Sequence, residues 1–166
     1  MKLQFRHQKF QSDAATAVCD VFAGQPFHAP TYMIDPGLGQ TSLYDTPKFT
    51  GFNNAPVTIG DDKVLEHIRA IQRAGQIKPS DALDGRYNLT VEMETGVGKT
   101  YTYIKTMYEL NKRYGWSKFI IVVPSVAIRE GVHKSFQMTE EHFAEDYGKK
   151  IRYFIYNSAQ LTERDR

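Results

Sequence analysis

Within the six residues Thr95-Gly96-Val97-Gly98-Lys99-Thr100 lie two glycines, a lysine and a hydroxyl in an order that can hold a triphosphate. Glycines let backbone N–H groups turn inward around phosphate oxygens. Lys99 supplies a point charge for the outer phosphates, and the Thr100 hydroxyl can ligate Mg²⁺. The strict spacing of such a loop asks for glycine five residues before Gly98, where this chain has Met93. A chance glycine turn between a strand and a helix is the competing reading of the segment.

A phosphate loop works only where a strand delivers it and a helix receives it. The apolar run through Leu89-Thr90-Val91-Glu92-Met93 predicts the strand, and Ile104, Met107, Tyr108 and Leu110 predict one face of a helix ending at Tyr114-Gly115. Phe119 to Val123 is continuously apolar and closed by Pro124, the pattern of a buried parallel strand. Ser125 can cap a helix carrying Ala127, Ile128, Val132 and Phe136. Thr139 with Glu140 and Glu141 predicts the start of another short helix, and Ile151 to Tyr156 a third strand.

Upstream, Phe10, Ala14, Val18, Val21 and Phe22 recur at helical spacing, predicting a helix over about Gln8–Phe22. Asp61 reads as the cap of a second helix with an apolar stripe of Val64, Leu65, Ile68 and Ile71, stopped by Gly75. Between them, residues 25–60 hold five of the seven prolines and no sustained period, as in a surface insertion. Strand and helix in alternation predict an α/β fold: a doubly wound parallel sheet with helices on both faces. The phosphate loop, Pro124-Ser125 and Asn157-Ser158 then share one rim.

With 166 residues and 41% hydrophobic content the chain reads as one soluble domain or part of a larger one. It has no run of ~18 apolar residues and no secretory leader, so the expected place is the cytoplasm, with no membrane partner. A single cysteine, Cys19, excludes an internal disulfide framework and a Cys-based zinc site, and falls in an apolar helical pattern suited to burial. A net charge of +2 is too mild to argue for nucleic acid. Arg129, His133, Lys134, Lys149, Lys150 and Arg152 are interleaved with acids, the pattern of an ordinary charged surface. Glu94 is expected to face outward, away from phosphate.

Three stretches agree on a family. Phe10-Gln11-Ser12-Asp13-Ala14 resembles the upstream glutamine motif of superfamily two helicases, Glu94 to Thr100 their motif I, and Val122 to Val132 their motif Ia. The wording Pro124-Ser125-Val126-Ala127-Ile128-Arg129-Glu130-Gly131-Val132, then Lys134-Ser135-Phe136 and Tyr156-Asn157-Ser158, resembles the restriction subunit of Type III restriction and modification enzymes. The resemblance implies a P-loop NTPase, RecA-like motor driven by ATP and Mg²⁺ on duplex DNA, partnered by a modification methyltransferase subunit and ending in an endonuclease. It implies that Gln11 reads the adenine edge, that Thr95, Gly96, Val97, Gly98, Lys99 and Thr100 hold phosphates and Mg²⁺, and that Pro124, Ser125, Val126, Ala127 and Ile128 line the DNA backbone track. Gln11 has a plainer alternative as a solvated helix residue, and Ser125 as an N-cap.

Phosphoryl transfer to water also needs an acid at a strand end and an arginine for the transition-state charge. No Asp-Glu pair follows a hydrophobic run in this chain; Asp61-Asp62, Glu140-Glu141 and Glu145-Asp146 belong to helix starts or helix surfaces. Residues 1–166 are therefore expected to be the N-terminal part of an incomplete first motor domain, inactive alone. A small P-loop kinase and a non-catalytic nucleotide-binding or partner-docking module stay open.

Overall fold

The computed structural model describes residues 5–29 and 53–156. Four helices organise them: α1 (Lys9–Asp20), α2 (Asp61–Ala74), α3 (Lys99–Tyr114) and α4 (Val126–Tyr147). The central helix is α3, packed against α1 on one side and α4 on the other, while α1 also meets α2. No described helix is long and apolar enough to cross a membrane.

Two apolar clusters use different parts of α3. Leu110 and Tyr114 join Cys19, Val21, Phe22, Val64 and Trp116, with Ile68 and Ile71 of α2 packed alongside. Nearer the start of α3, Ile104, Met107 and Tyr108 pack on Phe136 and Phe143 of α4. In the first cluster two aromatic polar atoms find partners: the Tyr114 hydroxyl donates to the Cys19 carbonyl at 2.8 Å, and the Trp116 Nε1–H to the Ala55 carbonyl at 3.0 Å. Gln25 and Asn54 clamp the chain entering α2. The Gln25 amide donates to the Pro56 carbonyl and accepts from the Thr58 N–H, and the Asn54 carbonyl oxygen accepts from the N–H groups of Ser117 and Lys118.

The expected α/β architecture is not what the described residues form. They contain no strand and no sheet, and the three segments predicted as strands, 89–93, 119–123 and 151–156, run without a hydrogen-bonded ladder. A continuous apolar run signals a need for burial, but a strand also needs a partner edge, and none of the three supplies one to another. Ile120, Val122 and Phe154 are consequently 92, 88 and 87% exposed. The parallel sheet with helices on both faces is thus replaced by a helical arrangement centred on α3, and the shared rim falls with it. Asn157 and Ser158 lie outside the described residues, as does most of the Pro/Gly-rich stretch (residues 30–52).

Helix ends follow the punctuation more closely. Gly115 and Gly148 end α3 and α4 in the left-handed conformation at φ 78° and 65°. Gly60 rather than Asp61 is the N-cap of α2, with Asp61 and Asp62 in its first turn, where the helix dipole favours acids. The break predicted near Thr139 is absent, and α4 runs unbroken for 22 residues. Thr139 is instead turned into the second core, its hydroxyl donating back to the Ser135 carbonyl at 2.7 Å.

Cys19 is fully buried, and desolvation pushes its thiol from the ordinary 9.0 to about 12. The unfolded chain releases this proton at lower pH than the folded one does. The resulting stabilisation is present below about pH 9 and is lost as pH rises from 9 towards 12. Iodoacetamide at pH 8 is expected to leave Cys19 unmodified in the folded chain and to alkylate it in denaturant; labelling at equal rates in both states contradicts this burial.

Candidate phosphate loop and its surroundings

The turn that starts α3 carries its two glycines in the left-handed region, Gly96 at φ 85° and Gly98 at φ 89°. Gly98 is the N-cap of α3 and has no side chain to close the helix end. The first intrahelical bond is made by Thr102, whose N–H and hydroxyl both donate to the Gly98 carbonyl, at 3.0 and 3.2 Å. The N–H groups of the first turn therefore lack intrahelical acceptors and open at the loop, where the helix dipole adds a partial positive charge. Lys99 is exposed and makes no ion pair among the described residues, and Thr100 beside it is half-buried. Thr95 is exposed and Val97 partly covered; Glu94 is exposed, as expected for a carboxylate kept away from an anion.

Gln11 is only 8% exposed, which excludes the solvated-surface reading. Its Nε2 donates to the Val97 carbonyl at 2.8 Å, so α1 reaches across and fixes the loop's backbone. The positive φ favours glycine at 98, and a Cβ added there meets that same nitrogen at 2.6 Å, so a side chain would push the Gln11 amide off its bond to Val97. The loop is thus delivered by the Gln11 amide and the α1–α3 packing rather than by a strand.

The second predicted stretch lies at the start of α4. Ser125 is its N-cap, the Oγ accepting from the Ile128 N–H at 3.3 Å. Pro124, Ser125, Val126, Ala127 and Ile128 are all exposed, Val126 at 64% and Ile128 at 48%. Arg129 just beyond them pairs with Glu130 at 3.2 Å, and towards the other end of α4 Lys150 pairs with Glu140 at 2.7 Å, as on an ordinary charged surface.

One constellation was not anticipated. His142 of α4 stands against the first turn of α3, its Nε2 2.7 Å from the Tyr101 hydroxyl. Burial holds the His142 imidazole below its ordinary pKa. His7 and Asp146 adjoin it. The i,i+4 spacing of His142 and Asp146 was readable, but nothing in the sequence ties His7 to α4.

Residues 61–164 match the protein family described as Type III restriction enzyme, res subunit. The chain belongs to that family. The match contains residues 95–100 and the start of α4, and leaves Gln11 and α1 outside it. Among relatives, the chain is 37% identical over 109 residues to the Res subunit of the Type III restriction-modification enzyme EcoP15I of Escherichia coli, and 36% identical over 109 residues to that of EcoPI of Escherichia phage P1. Each alignment covers 63% of this chain and 11% of the relative. With the Res subunit of StyLTI of Salmonella typhimurium it shares 46% identity over 66 residues, 39% of this chain and 7% of the relative. The chain therefore spans about a tenth of the length of these family members.

Proposed function

We propose that this Type III Res family chain is the nucleotide-binding portion of an ATP-driven DNA translocase and endonuclease that works with a modification methyltransferase subunit. The observation that carries the reading is the uncapped start of α3, where first-turn N–H groups open at a turn of two left-handed glycines beside an exposed Lys99 that makes no ion pair among the described residues. Those residues fit a triphosphate. The amides of residues 98–100 would hold phosphate oxygens, Lys99 the outer phosphates and the Thr100 hydroxyl Mg²⁺. ATP bound there supplies the phosphoryl-transfer potential that a motor spends on movement.

Gln11 has two sides to its amide. Its Nε2 is committed to Val97, which holds the loop in place and leaves the carbonyl oxygen as the group for a base edge. The exposed start of α4, residues 124–128, offers helix-terminal N–H groups to a DNA phosphate.

The chain by itself is expected to bind ATP and not to turn it over. Its acidic pairs are engaged elsewhere: Asp61 accepts from the Tyr87 hydroxyl at 2.6 Å, Glu140 pairs with Lys150, and Asp146 lies beside two histidines. Among the described residues no strand ends in a carboxylate that could hold Mg²⁺ and orient water. Calorimetry with ATP and Mg²⁺ should give saturable one-site binding, and a phosphate-release assay with duplex DNA should stay at background. Absence of binding sinks the nucleotide reading; DNA-stimulated release sinks the reading of the chain as inactive alone.

A further inference from the structure

The histidine and carboxylate group at the junction of the N-terminal segment, α3 and α4 has no part in holding a triphosphate. His7 Nε2 lies 3.6 Å from one Asp146 carboxylate oxygen, and His142 Nε2 lies 3.7 Å from the other. One donor atom from each of the three residues falls within 4.8 Å of the others. Four-coordinate zinc with bond lengths of about 2.0–2.2 Å places its ligand atoms roughly 3.4 Å apart. The three donors are thus already near the spacing an ion requires.

Their positions are held by packing. His142 and Asp146 are one turn apart on α4, with Phe143 between them anchored in the core at 1% exposure. The His142 ring is flanked by Phe5 and Tyr101 with centroids 5.4 and 5.6 Å away, and the His7 ring lies 5.0 Å from it. His7 remains half exposed, which gives an ion a path from solvent.

We propose that His7, His142 and Asp146 form a binding site for a divalent transition-metal ion of the zinc class, which fastens the segment before α1 to α4. Two imidazoles and one carboxylate suit Zn²⁺, Co²⁺ or Ni²⁺. Mg²⁺ and Ca²⁺ prefer all-oxygen shells, so the site is chemically separate from any Mg²⁺ that accompanies a nucleotide. Three protein ligands leave a fourth position for water. Binding at His142 Nε2 takes that nitrogen from the Tyr101 hydroxyl. The ion also fixes His7 two residues before α1, the helix whose Gln11 grips the phosphate loop. Metal occupancy therefore steadies the helix that positions the loop. The inference does not depend on the loop binding a nucleotide.

The test is calorimetry of the chelator-treated chain with ZnCl₂, together with the visible ligand-field spectrum of its Co²⁺ form. One equivalent should bind, Mg²⁺ in excess should not compete, and the Co²⁺ spectrum should be that of a four-coordinate ion. His7→Ala, at an exposed position, and Asp146→Asn, which retains shape, should each weaken Zn²⁺ by at least the roughly 10–100-fold that loss of an outer-shell partner causes. His133→Ala, on α4 but outside the cluster, should leave the affinity unchanged. Zn²⁺ should raise the melting temperature of the parent chain but not of His7→Ala. No Zn²⁺ binding, or equal affinity in the parent and the His7 and Asp146 variants, overturns the proposal.

Discussion

Gly115→Ala is expected to destabilise the fold by roughly 2–5 kcal/mol, against about 1–2 kcal/mol for Gly148→Ala. Both glycines end a helix in the left-handed region, at φ 78° and 65°, so both substitutions carry the penalty of forcing a side chain into that conformation. Their surroundings differ. A Cβ at Gly148 meets nothing within 4 Å, whereas a Cβ at Gly115 drives into the backbone carbonyl of His28. That carbonyl belongs to the segment whose own N–H donates to the Tyr114 carbonyl at 3.2 Å, and it has no flexible side chain to move aside. The segment at His28 and the end of α3 must separate, next to the cluster of Tyr114, Trp116 and Phe22. Urea unfolding of the two variants measures the difference as a shift in midpoint at constant slope. Equal shifts would mean that the close approach of residues 28 and 115 carries no weight.

That contact also shows why part of the fold was readable and part was not. Gly115 was legible as a helix stop because the signal is local: an apolar stripe on Ile104, Met107, Tyr108 and Leu110 ends, and a glycine follows. Its second role, letting the chain at His28 pass close by, depends on a contact 87 residues away in sequence and leaves no trace in any local pattern. The Asn54 clamp on Ser117 and Lys118 is hidden for the same reason, as is His7 beside His142.

The strand expectation failed differently. Phe119 to Val123 is as apolar as a buried strand, yet apolarity states only that burial would be favourable, and the exposure alternates, 38% for Phe119 and Ile121 against 92 and 88% for Ile120 and Val122. Among the described residues no neighbouring strand pairs with this segment. In α4 the error ran the other way, because Thr139 followed by two glutamates imitates a helix start. Its hydroxyl satisfied an internal carbonyl instead. The glycine turn into α3 was legible as a turn, with Gly96 and Gly98 both at positive φ, but what the sequence did not reveal was that Gln11 ties it down through Val97.

Lys99→Ala should separate the loop's charge from its shape. Lys99 is exposed and makes no ion pair among the described residues, so its truncation should leave stability within about 0.5 kcal/mol of the parent. If its ammonium meets the outer phosphates, the loss of charge-assisted hydrogen bonds worth about 1.5–3 kcal/mol weakens ATP by roughly 10–150-fold. Lys99→Arg should recover only part of this, because a planar fork does not replace a compact point charge in a narrow turn. Gln11→Ala is the complementary change. It removes the 2.8 Å bond to the Val97 carbonyl without touching a charge, so it should loosen the loop and weaken ATP and a non-hydrolysable ATP analogue by similar factors. Calorimetry with ATP and with ADP distinguishes the two effects: the Lys99 defect should shrink for ADP, which lacks the outermost phosphate, and the Gln11 defect should persist. An ATP affinity unchanged by Lys99→Ala would mean that this lysine is a surface residue and that the uncapped start of α3 holds no triphosphate.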